Sequence, residues 1–120
     1  MAIPAGTPIL LQELVQEPAT YHGRSVRATG ILMGYNPDEN RAIIEHKGHA
    51  LDVATDLLDT FSYNTKDLLQ CIGELEYNHD SNRLLLRARV SRKVDGLDLD
   101  LYEKAIMVHR KYEEKYVPST

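Results

Sequence analysis

The stretch RLLLRARVS, residues 83–91, has the clearest period-two pattern in the chain. Apolar and charged residues alternate along most of it, which is typical of a β-strand with one face in a core and the other in solvent. We therefore predict a strand here whose buried face consists of Leu84, Leu86, Ala88 and Val90.

Four segments upstream of this stretch also have the pattern of strands. The first begins after a turn at His22–Arg24 and contains Gly30, and a glycine in mid-strand is typical of the bulge or sharp bend that barrel closure requires. The other three strands are predicted over Arg41–Glu45, around Ala50–Val53, and from about Leu68 to Tyr77.

Two helices are predicted between and after these strands. Thr55 and Asp56 provide a hydroxyl cap and an acidic first turn, so we expect a short helix over Leu57–Phe61. Asp98 is a suitable N-cap for a long C-terminal helix that runs to about Tyr116.

The N-terminal segment is open to two interpretations. Thr7 followed by Pro8 has the form of an N-cap and a proline at the first helical position, which predicts two helical turns over Ile9–Val15. The same residues could instead pair as an edge strand. Pro18 ends the element in either case.

The order of these elements is three strands, a short helix, two strands and a closing helix. That is the order of the OB-fold, a five-stranded Greek-key barrel with a helix between strands three and four. On the pattern alone, an SH3-like barrel or another small α+β fold stays open. With 120 residues, the chain fits one domain. Within it, we assign residues 1–22 to an N-terminal arm or short helix, 23–96 to the barrel, and 97–120 to the C-terminal helix and tail.

The net charge of the chain is −4, from 14 Lys and Arg against 18 Asp and Glu. A protein that grips DNA unaided usually has a basic surplus, so we expect any nucleic-acid role to be local or shared with a partner. Cys71 is the one cysteine, which excludes an intramolecular disulfide and favours a reducing compartment. We also expect no transmembrane helix and no signal peptide.

Recognisable catalytic and metal-binding motifs are absent from the sequence. It has no Gly-x-Ser-x-Gly, no phosphate-binding glycine loop and no Cys-x-x-Cys. Cys71 is expected to be a small buried hydrophobe. Asp95, Asp98 and Asp100 suit turn formation and helix capping. His46, His49 and His79 are interpreted as exposed turn residues, because a zinc site would need further ligands. We therefore expect a protein without enzymatic activity, cofactor or metal.

The polar face of the strand at residues 83–91 is a candidate nucleic-acid surface. OB barrels bind single strands through basic grooves with stacking aromatic side chains. Arg83, Arg87 and Arg89 would supply the charge, while Tyr35 and Tyr77 lie near the loops that would flank the groove. Arginine is equally ordinary on a solvated strand face, so both interpretations stay open here.

The C-terminal helix has a wider apolar arc than packing against one core surface needs. A second apolar stripe on a terminal helix favours a partner helix, and the alternative is that both stripes pack inward. The two stripes consist of Leu101, Ala105, Val108 and Tyr112 on one side and of Tyr102, Ile106 and His109 on the other. The second stripe is the candidate for closing the barrel, although helical spacing alone leaves open which stripe faces the barrel and which faces a partner.

Several segments together resemble the smallest subunit of the CST telomere-capping complex, the Ten subunit. The resemblance extends from about residue 23 to residue 116, and it depends on the order and spacing of the segments. The stretch 98–106 is also similar to the end of the smallest subunit of replication protein A, a structurally related family. The middle of the chain favours the CST family. The segments are Ser25–Gly30, Val53–Phe61, Gly73–Glu76, Ala88–Val90 and Val94–Leu99.

This resemblance implies a non-catalytic OB-fold subunit that pairs with the middle (Stn) subunit of CST and stabilises it. The pair would join the large subunit, and the trimer would bind single-stranded telomeric DNA. It would also cooperate with DNA polymerase alpha–primase in lagging-strand fill-in, in the nucleus at telomeres. Carried over by position, the partner interface would include Arg27, Leu97, Ala105, Val108 and Tyr112, to which the helical spacing adds Leu101.

Two alternative functions follow from the same residues. One is the smallest subunit of replication protein A. The other is a free-standing module that binds single-stranded nucleic acid, which would need an aromatic-rich and net-basic groove. The charge of −4 disfavours that module.

Overall fold

The computed structural model describes residues 7–14, 16, 18–94 and 96–116, with side chains as far as residue 111. Within this part of the chain, no helix is long and apolar enough to span a membrane. The elements are β1 (Thr7–Ile9), α1 (Leu11–Leu14), a 3₁₀ helix (Pro18–Tyr21), β2 (Ser25–Asn36), β3 (Arg41–His46), β4 (His49–Ala54), β5 (Leu68–Asn78), β6 (Arg83–Lys93) and α2 (Leu99–Tyr116).

The barrel closes through β2, the longest strand. Its residues 25–31 pair with β5 and its residues 31–36 pair with β3, both antiparallel. The circuit then runs from β3 to β4, from β4 to β6 by a parallel pairing, and from β6 to β5. This is the five-stranded Greek-key order of the OB-fold, so the predicted fold class and all five predicted strands are confirmed.

The bend that lets β2 serve two neighbours lies at the predicted glycine. A Cβ atom on Gly30 would lie 3.1 Å from both the backbone N and O of Glu45, so glycine permits the close approach of β3. The register shift itself occurs slightly later, between Leu32 and Gly34. Met33 is therefore the extra residue of the bulge.

A second bulge corrects the predicted buried face of the strand at residues 83–91. The register with β5 shifts so that Ile72 pairs with Val90 and Gly73 pairs with Ala88, which leaves Arg89 as an extra residue. One extra residue reverses the alternation of faces. The core therefore contains Leu84, Leu86 and Ala88 as expected, but Val90 is 48% exposed.

The predicted short helix at Thr55–Phe61 is wrong, because residues 55–67 form an irregular loop. The Thr55 hydroxyl is buried without a hydrogen-bond partner in the described part of the chain, so it caps no helix. The loop instead packs its rings against the end of the barrel. Phe61 lies 4.6 Å from Tyr35 and 4.9 Å from Tyr63 between ring centroids, and the Tyr63 hydroxyl donates to the carbonyl of Ser91 at 3.0 Å.

Both interpretations of the N-terminal segment are partly correct. Thr7–Ile9 pairs in parallel with Val26–Ala28 as an edge strand, and Leu11–Leu14 then forms a single helical turn. Val15, the predicted end of the helix, lies outside the described residues. Leu11 and Leu14 are buried in the core, so this segment helps to close the barrel.

The core lies inside the barrel and includes the one cysteine. Cys71 is fully buried, and burial raises the pKa of its thiol to about 12. It occupies the expected place of a small hydrophobic residue. The largest fully buried side chains are those of Leu32, Ile44, Leu69, Leu75, Leu86, Val26, Val53 and Cys71.

Replacing Gly73 with alanine should destabilise the barrel by about 3 kcal/mol, the upper end of the usual cost of overpacking. The reason is steric, because the new Cβ would lie 2.1 Å from the Arg87 carbonyl oxygen. Gly34→Ala is the matched control, since a Cβ there meets nothing within 4 Å. Urea denaturation of both variants measures the difference, and equal stabilities would contradict the close packing of β5 on β6.

Candidate functional site

Helix α2 begins at its predicted cap. The Asp98 carboxylate accepts hydrogen bonds from the backbone N–H groups of Asp100 at 3.0 Å and Leu101 at 3.2 Å. Two of the N–H groups that have no partner inside the helix are thereby satisfied. The cap fixes the start of the helix and therefore which of its residues face the barrel.

The inner face of α2 has little apolar contact with the barrel. Ile106 is buried, Tyr102 is half-buried, and both belong to the stripe predicted to close the barrel. His109, the third residue of that stripe, is exposed, which corrects the prediction. Polar side chains provide most of the remaining contacts, and the best buried of them is Glu103 at 7% exposure.

Four side chains form what we call the Glu103 cluster. His46 Nε2 lies 2.9 Å from one Glu103 oxygen, while Lys47 Nζ and Gln12 Nε2 lie 3.4 and 3.5 Å from the other. Burial by itself would raise the pKa of Glu103, but hydrogen bonds and charges from His46 and Lys47 together lower it. The cluster therefore holds an ionised carboxylate against the turn between β3 and β4.

The cluster overturns one expectation for the histidines. The sequence predicts an exposed turn residue at His46, but its side chain is only 12% exposed and contacts Glu103. Helical spacing was the one signal in the sequence that Glu103 faces the barrel, since Glu103 lies three residues before Ile106 and so on the same face of the helix. In the described residues, no group of three or more His, Cys, Asp or Glu side chains is arranged to hold a metal ion.

Three further polar contacts position α2. Arg110 forms an ion pair with Glu13 of α1 and donates to the carbonyl of Pro8 in β1 at 2.7 Å. Gln70, buried in the wall of the barrel, donates to the Tyr102 hydroxyl at 3.4 Å. The helix is therefore attached in its first turns, at Tyr102 and Glu103, and near its middle, at Arg110, by groups with directional requirements.

The outer stripe of α2 is left exposed by this attachment. Leu101 and Val108 are 65% and 67% exposed. Leu97, just before the helix, is half-buried. The side chain of Tyr112 lies outside the described part of the structure. The predicted partner stripe, of which Ala105 is also exposed, is thus an apolar surface that the barrel does not cover.

A cleft of about 620 Å³ lies beside this stripe, between α2, β1 and β2. Arg27 lines it together with Ala105 and Ile106. The Nε atom of Arg27 is buried and has no hydrogen-bond partner among the described residues. A buried donor without an acceptor costs roughly 1–3 kcal/mol, so a movement of Arg27 that gave its Nε an acceptor would be favourable.

The predicted arginine surface is an open groove of about 710 Å³ on the outside of the barrel. Arg83 forms an ion pair with Asp52 at 3.1 Å. Arg87 contacts both oxygens of Asp56, at 2.7 and 2.8 Å, and both oxygens of Glu76, at 2.5 and 3.2 Å. The hydrogen bond from Arg87 lowers the pKa of Glu76. These arginines are therefore paired with carboxylates of the same chain.

The structure brings only three of the five predicted nucleic-acid residues together. Tyr77 lines the groove with Arg83 and Arg87. Tyr35 does not line it and packs on Phe61 at the end of the barrel. Arg89, the extra residue of the β6 bulge, points elsewhere and donates to the Ser25 hydroxyl at 3.3 Å.

Comparison with known proteins identifies close relatives by sequence. A family model described as telomere-capping, CST complex subunit matches residues 2–116. The chain is 37% identical over 111 residues to the CST complex subunit TEN1 of Arabidopsis thaliana, covering 92% of this chain and 87% of that protein. It is 27% identical over 118 residues to the CST complex subunit TEN1 of Homo sapiens, covering 85% of this chain and 95% of that protein.

Solved structures share the fold at low sequence identity. A chain of the S. pombe Stn1–Ten1 complex is 13% identical, with a TM-score of 0.71, and the match covers 92% of this chain and 96% of that one. A chain of U. maydis replication protein A bound to single-stranded DNA is 16% identical, with a TM-score of 0.64, covering 95% and 98%. These similarities establish the OB-fold.

Replacing Glu103 with glutamine should reduce stability at pH 7 by about 1–2 kcal/mol. Because folding lowers the pKa of this carboxyl below 4.5, its contribution is present above that pH and is lost as the pH falls through the lowered pKa. The difference between wild type and Glu103→Gln should therefore shrink below about pH 4.5. Urea denaturation of both proteins at several values between about pH 3 and pH 7 measures this difference in stability.

Asp100→Asn is the control for this experiment. Its side chain is 71% exposed and lies 3.6 Å from Lys47, and exposed ion pairs contribute less than about 1 kcal/mol. A Glu103→Gln variant as stable as Asp100→Asn at every pH would contradict the role of the cluster.

Proposed function

Because the chain belongs to the family of telomere-capping CST complex subunits, we propose that it is a non-catalytic subunit that pairs with the middle (Stn) subunit and stabilises it. The pair would assemble with the large subunit in the nucleus, at telomeres. There it would support binding of single-stranded telomeric DNA and lagging-strand fill-in by DNA polymerase alpha–primase. This proposal treats the arm at 1–22, the barrel at 23–96 and the helix with its tail at 97–120 as one domain.

The exposed stripe on α2 is the observation that carries the pairing proposal. Leu101 and Val108 are both about two-thirds exposed, although the opposite face of the helix is fixed against the barrel. A contiguous apolar surface on a terminal helix is unfavourable in water and is typical of a site for a partner helix. We place the partner interface on this stripe, with Ala105 and Tyr112 as further members.

Arg27 and Leu97 extend the proposed interface beyond the helix. Arg27 has a buried Nε without a partner in the described residues, and it lines the cleft next to Ala105. If pairing drew the Arg27 side chain into the cleft, a hydrogen-bond acceptor from a second chain would remove the cost of that unpaired donor. Leu97 is half-buried immediately before α2, where a partner lying along the helix would cover it.

The proposed contribution to DNA binding is small for this chain alone. Arg83, Arg87 and Tyr77 line one groove, and Arg89 and Tyr35 are candidates for contacts outside it. The arginines of the groove are paired with carboxylates, and the net charge is −4. Both facts favour a contribution within the assembled complex over strong independent binding.

The smallest subunit of replication protein A is the alternative within the same fold. The similarity to a chain of that complex is at the level of the fold. The family model and the 37% identity to a CST subunit support the CST assignment.

Changing Leu101 and Val108 together to alanine should weaken pairing with the middle subunit by at least roughly thirtyfold, which corresponds to about 2 kcal/mol. The physical reason is the loss of apolar area that pairing would remove from water. We expect Tyr112→Ala to have an effect of similar size, since tyrosine is enriched among interface hot spots. Isothermal titration calorimetry with the middle subunit measures both.

Ile106→Ala is the matched control on the other face of α2. Ile106 is buried against the barrel, so its truncation should lower the melting temperature of the isolated chain. The Leu101 and Val108 double variant should leave that temperature unchanged. If the double variant paired normally but melted early, the two faces of α2 would be assigned the wrong way round.

The isolated chain should bind single-stranded DNA with a Kd no tighter than the micromolar range at physiological salt. The affinity should fall further as salt is added, because phosphate contacts release counterions. Fluorescence anisotropy with a labelled G-rich oligonucleotide, titrated at several salt concentrations, measures both. Nanomolar binding by the isolated chain would favour the free-standing module.

A further inference from the structure

Arg83 and Arg87 each form ion pairs with carboxylates in or beside the groove, and these carboxylates could do more than form ordinary surface ion pairs. We infer that Asp52, Asp56 and Glu76 compete with nucleic-acid phosphate for these two arginines and so limit how tightly the chain binds a single strand. This inference depends on the proposed contribution to DNA binding. It concerns how that binding is limited, and it gives a role in the groove to three residues for which the sequence predicted none.

The guanidinium of Arg87 is already occupied by carboxylates. Its Nε and Nη2 atoms contact the two oxygens of Glu76 at 2.5 and 3.2 Å, and its Nη1 atom contacts Asp56 at 2.7 Å. Phosphate and carboxylate groups use the same planar donors of a guanidinium, often two at a time. A phosphate can therefore take the bidentate position at Arg87 only by displacing Glu76.

Displacement of these carboxylates by a phosphate is physically possible. The side chain of Arg87 is 33% exposed, and the side chains of Asp56 and Glu76 are each 40% exposed. At Arg83 the pair is similar, with the arginine 60% exposed and Asp52 22% exposed. Ion pairs that water reaches are weak, so these carboxylates raise the cost of a phosphate contact without preventing it.

The positive and negative charges that line the groove balance one another. Asp56 reaches the groove through its ion pair with Arg87, and it adds to the carboxylates that line the groove. The groove is thus not positive, in spite of its arginines. A positive potential, which draws a single strand into a groove, would appear only when the carboxylates are removed or pushed aside. The lining arginines are Arg41, Arg83 and Arg87, and the lining carboxylates are those of Asp52, Glu76 and Asp80.

Asp56→Asn combined with Glu76→Gln tests the inference, because both changes keep the shape of the side chain and remove its charge. We expect the full-length double variant to bind a labelled oligothymidine at least roughly fivefold more tightly than wild type at physiological salt. Each additional phosphate that the variant neutralises should steepen the slope of log K against log salt by about 0.7. Adding Arg87→Ala to the double variant should abolish the improvement.

Glu39→Gln combined with Asp59→Asn is the matched control. Both residues are exposed and neither lines the groove, yet the net charge changes by the same amount. Equal improvements in the two double variants would overturn the inference, because net charge alone would then explain the effect. Thermal melting of all variants checks that each is folded.

Two further results separate this inference from the proposed function. If wild type binds and the Asp56 and Glu76 double variant binds no better, the inference is wrong while the DNA role stands. If neither protein binds a single strand, alone or paired with the middle subunit, the proposed DNA role itself is wrong and the inference falls with it.

Discussion

The contact between β5 and β6 at Gly73 is the constraint on which the faces of the barrel depend. The strands approach so closely there that a Cβ atom would lie 2.1 Å from the Arg87 carbonyl oxygen. At the same point β6 accommodates an extra residue, Arg89, and its alternation reverses. Before that residue, Ala88 enters the core while Arg87 lies on the outer face, and after it Val90 is exposed. The bulge therefore decides which residues of β6 after Ala88 face outward, and it separates Arg89 from the groove that Arg83 and Arg87 line.

Polar contacts hold α2 against the barrel, while the apolar residues on its outer face stay unburied. This arrangement suits a subunit of a complex. A helix docked mainly through apolar contacts would use its apolar residues on its own barrel. Here the directional contacts of Glu103 with His46 and of Arg110 with Pro8 fix the helix, and Ile106 is its one buried large apolar residue among those described. The remaining apolar area, on the outer stripe, stays available to a partner. Polar docking also specifies one orientation of the helix, since rotation about its axis would separate Glu103 from His46 and Lys47.

How far the fold could be predicted depended on whether the signal was local. The five strands follow from period-two patterns, and the start of α2 follows from one capping aspartate, whose hydrogen bonds are present. The helix predicted at Thr55–Phe61 is absent for a different reason. Its cap residues are a local signal, and the packing of Phe61 on Tyr63 at the end of the barrel outweighs them. Val90 was misplaced because a bulge depends on a strand neighbour that no short window contains. For the same reason, spacing in the sequence does not identify the partner of His46, which is 57 residues away. Nor does it identify the two partners of Arg87, which are 11 and 31 residues away.

The pairing of arginines with carboxylates gives a physical reason why an arginine-rich strand occurs in an acidic chain. A free-standing single-strand binder depends on an uncompensated positive groove, since counterion release supplies much of its affinity. A subunit that acts next to other chains has a different requirement, because strong nonspecific binding before assembly would hold it on the wrong nucleic acid. In the proposed role, arginines neutralised by Asp52, Asp56 and Glu76 would meet that requirement while remaining close to solvent. In the proposed complex, specificity of assembly would then come from α2, and the groove would contribute only after the partners have brought a strand to it.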